Sequence, residues 1–264
     1  MMFDRLVSIA STCVVLFILG PLIVIIGASF TTTPYVAFPP QGFTLHWYQQ
    51  LLGKPDFIKS FIDSLVLGVL ATTGSALVGI PAALGLHHGG LRGRAVLSGF
   101  VMAPLTLPTF ITGVALLQFY YAIDLDAPMI GLLIGHMLIT IPFFVRTVGA
   151  ALLALDPAIV EAAESLGAGP LRTHLRVTLP AIAPSIFAAV TFVFITSFDQ
   201  VTISIFLSGP DVMPLPIRIY NSIEFAIDPM VAAVSSVLIV FAFAIVAAMQ
   251  RLLGLNRAFI GGAG

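Results

Sequence analysis

The stretch Leu6-Val-Ser-Ile-Ala-Ser-Thr-Cys-Val-Val-Leu-Phe-Ile-Leu-Gly-Pro-Leu-Ile-Val-Ile-Ile-Gly-Ala-Ser-Phe30 contains no charged residue. It is about 25 residues long, or roughly 37 Å as helix at ~1.5 Å per residue. The apolar core of a cleaved signal peptide is shorter, about 7–15 residues, so this stretch is expected to be a retained spanning helix behind Asp4 and Arg5. The rest of the chain repeats the pattern. Further uncharged runs cover Ser64–Leu86, Ala95 to about Phe119, Met129–Val145, about Ala181 to Leu207 with Asp199 inside it, and Val231–Met249. Each meets the ~17–25 residue length of a membrane span. The expected fold is therefore an all-α membrane protein with six transmembrane helices, forming one domain over residues 1–264.

Composition agrees. Apolar residues make up 59% of the 264 and charged residues 9%, far below the roughly one quarter of a soluble domain. Such a chain cannot cover a water-facing surface, so membrane lipid is its solvent. A net charge of −1 gives no basic field for nucleic acid. The one cysteine, Cys13, cannot form an internal disulfide. With the N-terminus inside, the inner loops carry Arg5, Arg92, Arg94, Arg146, Arg172, Arg176, Arg251 and Arg257, and the outer ones only Lys54, Lys59 and Arg218. The positive-inside rule then places both termini in the cytoplasm. Asp56, Asp63, Asp124, Asp126, Asp211, Glu224 and Asp228 fall outside and make an acidic outer vestibule. Trp47 and Tyr48 suit an interfacial anchor. Pro81, Pro104, Pro108, Pro142 and Pro184 lie inside the runs and predict kinks, or simply close packing through small residues.

The inner connection between the fourth and fifth helices, about residues 156–180, reads Asp156-Pro-Ala-Ile-Val-Glu161-Ala-Ala-Glu-Ser-Leu-Gly167-Ala-Gly-Pro-Leu-Arg-Thr-His-Leu-Arg-Val-Thr-Leu179-Pro180. Asp156 can cap a helix and Pro157 suits its first turn. Ala158–Leu166 are mostly good helix formers, with Glu161 and Glu164 three apart on one face. Gly167 is a left-handed stop. Pro170 opens a second short helix with Arg172, His174 and Arg176, and Leu179-Pro180 ends it. This helix–turn–helix lies along the cytoplasmic face. It either fits a partner's groove or rests on lipid as an amphipathic helix.

Glu161-Ala162-Ala163, Gly167 four positions later, and Val177-x-Leu179-Pro180 resemble the signature loop of binding-protein-dependent ABC importer permeases. Isoleucine is common there where Val177 stands. The six helices and inside termini extend the likeness over the whole chain. The resemblance implies that this loop is a coupling helix docking on cytoplasmic ATPase subunits, through Glu161, Ala162, Ala163, Gly167, Leu179 and Pro180. It implies a second permease subunit completing the pore and an extracytoplasmic solute-binding protein, in the bacterial inner membrane. The chain contains no Gly-x-x-x-x-Gly-Lys-Ser/Thr phosphate loop. The resemblance thus makes it a non-catalytic subunit without cofactors of its own, with ATP and Mg in the partner ATPase.

The run Thr196-Ser-Phe198-Asp199-Gln200-Val-Thr-Ile-Ser-Ile-Phe-Leu-Ser-Gly209-Pro210, followed by Leu215-Pro216 and Ile219-Tyr220, resembles the spermidine/putrescine branch of that family. Members of the branch often have two adjacent acids after the phenylalanine; here the second is Gln200. The resemblance implies a polyamine-like or other small cationic cargo, with another small organic solute as the alternative. Thr196, Phe198, Asp199 and Gln200 are the candidate pathway residues. An aspartate deep in a span costs roughly 2.5–3.5 kcal/mol on insertion scales. Asp199 is therefore expected to meet a cation, on a helical stripe with Phe192, Thr196 and Ile203, or to pair with a neighbouring helix. His136, mid-helix, either lines a cavity or packs through hydrogen bonds, and His87-His88 form a solvated inner turn. No His/Cys/Asp spacing suggests a metal, and no Gly-x-Ser-x-Gly suggests a membrane hydrolase. A secondary transporter or channel would have no use for the Glu161–Pro180 pattern.

Overall fold

Two of the breaks between apolar helices fall at proline pairs. In a computed structural model, which describes residues 2–87, 92–225 and 228–252, the helices are α1 (Met2–Ala28), α2 (His46–Leu52), α3 (Pro55–His87), α4 (Arg94–Met102), α5 (Thr109–Ala122), α6 (Pro128–Ala154), α7 (Pro157–Ser165), α8 (Pro170–Thr173), α9 (Leu179–Ala181), α10 (Ala183–Phe198), α11 (Ser204–Leu207), α12 (Leu215–Phe225) and α13 (Pro229–Leu252). A π-helical turn, His174–Thr178, joins α8 to α9. His88, Arg257 and the tail Gly261–Gly264 lie outside the described residues.

Four helices are long and apolar enough to cross a membrane uninterrupted, and two bent pairs bring the total to six if each pair is one span. The expected third span is thus broken within its length, and the expected fifth is bent at its start and stops short at Phe198. Arg94–Leu105 meets Thr109–Ala122 at 96°, and Pro170–Ala181 meets Ala183–Phe198 at 72°. Both bends fall between prolines four residues apart, Pro104/Pro108 and Pro180/Pro184. Each proline lacks an N–H, and its ring clashes with the carbonyl four residues back. With two such defects on successive turns no continuous ladder survives. The single prolines Pro21, Pro81 and Pro142 stay inside unbroken α1, α3 and α6. Helix starts are local too: Asp156 and Asp228, each before a proline, accept from Ala158 N at 2.9 Å and Met230 N at 2.8 Å.

The chain divides into two compact units. One takes in the first 61 residues and Arg218–Ile245. The connection between α1 and α3 is tied down by Trp47 Nε1, which donates to the Thr31 carbonyl at 2.7 Å, by Ser29 Oγ and Tyr48 OH at 2.7 Å, and by Phe30 stacked on Phe43 at 4.8 Å. The Trp47 indole therefore bonds within its own loop. Arg218 Nε donates to Ser60 Oγ at 3.2 Å, with Asp56 3.9 Å from the guanidinium.

The second unit comprises Ile62–Ile217 and the stretch from Val246. Its axis is α6, the most enclosed helix. Towards its start, Leu132 and Ile139 join Leu67, Tyr120, Ile203 and Leu207 in one core. Towards its end, Phe144, Val145, Val148 and Leu152 join Ala83, Leu86, Ile182, Ala189 and Val193 in another. Between them a polar step links α3 to α6: Thr140 Oγ1 donates to the His136 carbonyl at 2.7 Å and accepts from Ser75 Oγ at 2.8 Å. The lipid-facing sides stay apolar and exposed, for example Phe100 and Val96 on α4.

Candidate functional site

The Asp156–Pro180 connection closes through its own backbone. Asp156 caps α7, and the chain leaves α7 through Gly167 at φ +83°. Gly167 N donates to the Glu164 carbonyl at 2.9 Å and Ala168 N to the Ala163 carbonyl at 3.1 Å. This is the Schellman pair, which needs a left-handed residue at Gly167's place. A Cβ there would meet nothing within 4 Å, so glycine is required by conformation and not by space. Glu161, Ala162 and Glu164 face outward, with Ala163 half-buried. Glu161 also lines a cavity of about 370 Å³ with His87, Leu152, Val160, His174 and Thr178. Leu179 packs on the core around Phe144, Val148 and Leu152, and Pro180 is exposed.

The pathway candidates sit at the other end of α10. This helix stops at Phe198, and Asp199 is its exposed C-terminal cap at φ −95°, ψ 11°. Asp199 is therefore not deep within a helix, as its position in an apolar run suggested. Nor does one helix carry the stripe Phe192, Thr196, Asp199, Ile203, because Ile203 lies beyond the break and is fully buried. Thr196, Phe198, Asp199 and Gln200 are brought to one end of α10 but not onto one face. Phe198 is buried and stacks on Phe194 at 5.8 Å, while Thr196 and Gln200 are half-exposed. The Gln200 side chain accepts from Thr202 N at 3.2 Å and rounds the turn.

Sequence reasoning missed what holds that turn. His136, on α6, is fully buried. Its Nδ1 lies 2.8 Å from Ser197 Oγ, in the last turn of α10, and its Nε2 lies 2.9 Å from Ser204 Oγ, the first residue of α11. Of the two roles left open for His136, packing through hydrogen bonds is the one realised. The available signal was the polar pair Ser197 and Ser204 flanking Asp199 in an apolar run. Beyond it, α11 nests against two glycines. A Cβ at Gly113 would stand 2.7 Å from Phe206, and one at Gly135 would stand 2.8 Å from Leu207 and 3.1 Å from Ile203.

Residues 75–254 match the family described as the binding-protein-dependent transport system inner membrane component. The spermidine/putrescine transport system permease protein PotC of Escherichia coli (strain K12) is 28% identical over 239 residues, spanning 90% of each chain. The putrescine transport system permease protein PotI of the same strain is 29% identical over 230 residues, 84% of this chain and 82% of that one. A bacterial ABC transporter involved in import of the acidic polysaccharide alginate shares the fold, with a TM-score of 0.72 at 19% identity over 95% of this chain and 96% of its own. The MetNI methionine ABC transporter gives 0.62 at 21% identity over 75% of this chain and 95% of its own. The chain belongs to the binding-protein-dependent permease family. It is a multi-pass membrane protein and a permease subunit of an ABC importer.

Proposed function

We propose that this permease passes a small organic cation of the polyamine kind across the bacterial inner membrane. The observation that carries the reading is the exposed carboxylate of Asp199 at the C-terminal end of α10, in a chain whose named relatives are polyamine permeases. The last carbonyls of a helix carry roughly half a negative charge. A carboxylate there adds to that field, so the end of α10 attracts cations twice over. Thr196 and Gln200 supply neighbouring polar groups, and Phe198 anchors the turn from its buried side. The alginate-importing neighbour shares the fold at 19% identity and carries an acidic cargo, so fold alone does not set the charge of the solute.

At the cytoplasmic end, Glu161, Ala162, Ala163 and Gly167 present α7 to a groove of the partner ATPase, with Leu179 and Pro180 transmitting its movement to α10. ATP and Mg are held by that ATPase, and this chain is the non-catalytic part. A second permease subunit completes the pore, an extracytoplasmic binding protein delivers the cargo, and both termini are cytoplasmic. The chain acts as one permease domain.

The test is putrescine uptake into proteoliposomes holding the assembled importer and its binding protein. Asp199→Asn keeps the shape and removes the charge. Uptake should fall about tenfold, which corresponds to about 1.4 kcal/mol, while basal ATPase activity persists. Unchanged uptake removes the charge from recognition. Glu161→Lys should abolish uptake at equal membrane abundance by opposing like charges in the groove; full uptake in that variant excludes the docking role.

A further inference from the structure

We propose that His136 is a positioning residue that selects the broken form of the α10–α11 segment, and so sets where Asp199 and Gln200 stand. The significance for cargo rests on the reading above; the mechanical part does not. Residues 185–208 contain neither proline nor glycine, so no local breaker stops α10 at Phe198. The backbone at the break is thinly bonded: Gln200 N reaches the Ser197 carbonyl only at 3.4 Å, and the regular pattern resumes with Ile205 N to the Val201 carbonyl at 2.9 Å. Something outside the segment must hold it open.

His136 does so by geometry. Its two ring nitrogens bond Ser197 and Ser204 at 2.8 and 2.9 Å, one on each side of the break. In an unbroken helix these serines would stand about 10 Å apart along the axis at ~1.5 Å per residue, with both side chains leaning the same way. One imidazole does not reach both across that span. The double hydrogen bond and the continuous helix therefore exclude each other. All three side chains are buried, at 0% exposure for His136, 2% for Ser197 and 0% for Ser204, and a buried polar group stripped of its partners is costly. In the neutral ring one nitrogen donates and the other accepts, so one serine receives a proton and the other gives one. Propagating α10 through Asp199–Ile203 would orphan at least one of these groups and pull Ile203 out of its core.

Spin labels at Ala188→Cys and Ile205→Cys, with Cys13→Ser to remove the native thiol, report the break directly in the assembled importer. In His136→Leu the distance distribution should move to about 26 Å, the separation along an unbroken helix at ~1.5 Å per residue. His136→Gln, which keeps one donor and one acceptor, should retain the parental distribution. If His136→Leu does not assemble, Ser197→Ala with Ser204→Ala removes the same bonds at almost constant volume and should give the same shift. An unchanged distribution in whichever of these assembles overturns the proposal, whatever uptake does. A shifted distribution with putrescine uptake undiminished supports the pin and overturns the cargo role of Asp199. Asp199→Asn should leave the distribution unmoved.

Discussion

The connection at 156–180 and the turn at 199–203 both reverse or interrupt helices, but they are closed by opposite means. The first is built from its own residues: a capping aspartate, a proline at the first helical position, and a glycine at φ +83° with two backbone bonds behind it. Its side chains are largely exposed. The second has no glycine or proline and is closed by groups from other helices: the His136 ring, and the space left by Gly113 and Gly135. Locally closed structure keeps its shape when its surroundings move, which suits the force-transmitting role proposed for this connection. Structure closed by tertiary contacts can open when those contacts shift, which suits the cargo-binding role proposed for this turn.

Three substitutions test that contrast. The largest effect should come from Gly135→Val. Its Cβ alone would approach Leu207 to 2.8 Å, and overpacking of this kind costs roughly 1–3 kcal/mol. The thermal unfolding midpoint of the purified subunit should drop clearly, and α11 should lose its seat. An unaltered midpoint would show that the turn does not depend on its neighbours.

Gly167→Val should come next. Nothing crowds the site, so the cost is the backbone's alone, about 1–2 kcal/mol for a side chain in the left-handed region. The subunit should insert and hold its membrane core, while α7 is misaimed and uptake is lost. Gly167→Asn, which tolerates that region better, should restore most of the uptake. A global loss of stability equal to that of Gly135→Val would erase the distinction between the two regions.

The smallest effect should come from Asp156→Ala, which deletes one capping bond and about 1 kcal/mol of local helix stability. Hydrogen exchange across Ala158–Leu166 should quicken while α6 and α10 are unaffected, and Asp156→Asn should behave as the parent. Protection lost equally in α10 would mean that the connection is not self-contained.

What the sequence by itself determined follows from terms that act over a few residues. Lipid as solvent, the number and approximate place of the apolar runs, the Asp-Pro helix starts and the glycine stop before α8 are all consequences of hydropathy, capping and φ. The likeness of Glu161–Pro180 to a permease loop was legible for the same reason, since its spacing is contiguous in the chain. Prolines marked possible kinks, but the outcome turned on spacing: Pro81 and Pro142 are accommodated, whereas Pro104/Pro108 and Pro180/Pro184 break the ladder twice over. The end of α10 was decided chiefly by tertiary structure. Residues 185–208 contain no proline or glycine; beside the local bond from Thr202 N to Gln200, it is the pairing of Ser197 and Ser204 with a ring some sixty residues earlier, and the missing side chains at Gly113 and Gly135, that make the broken form the better-bonded one.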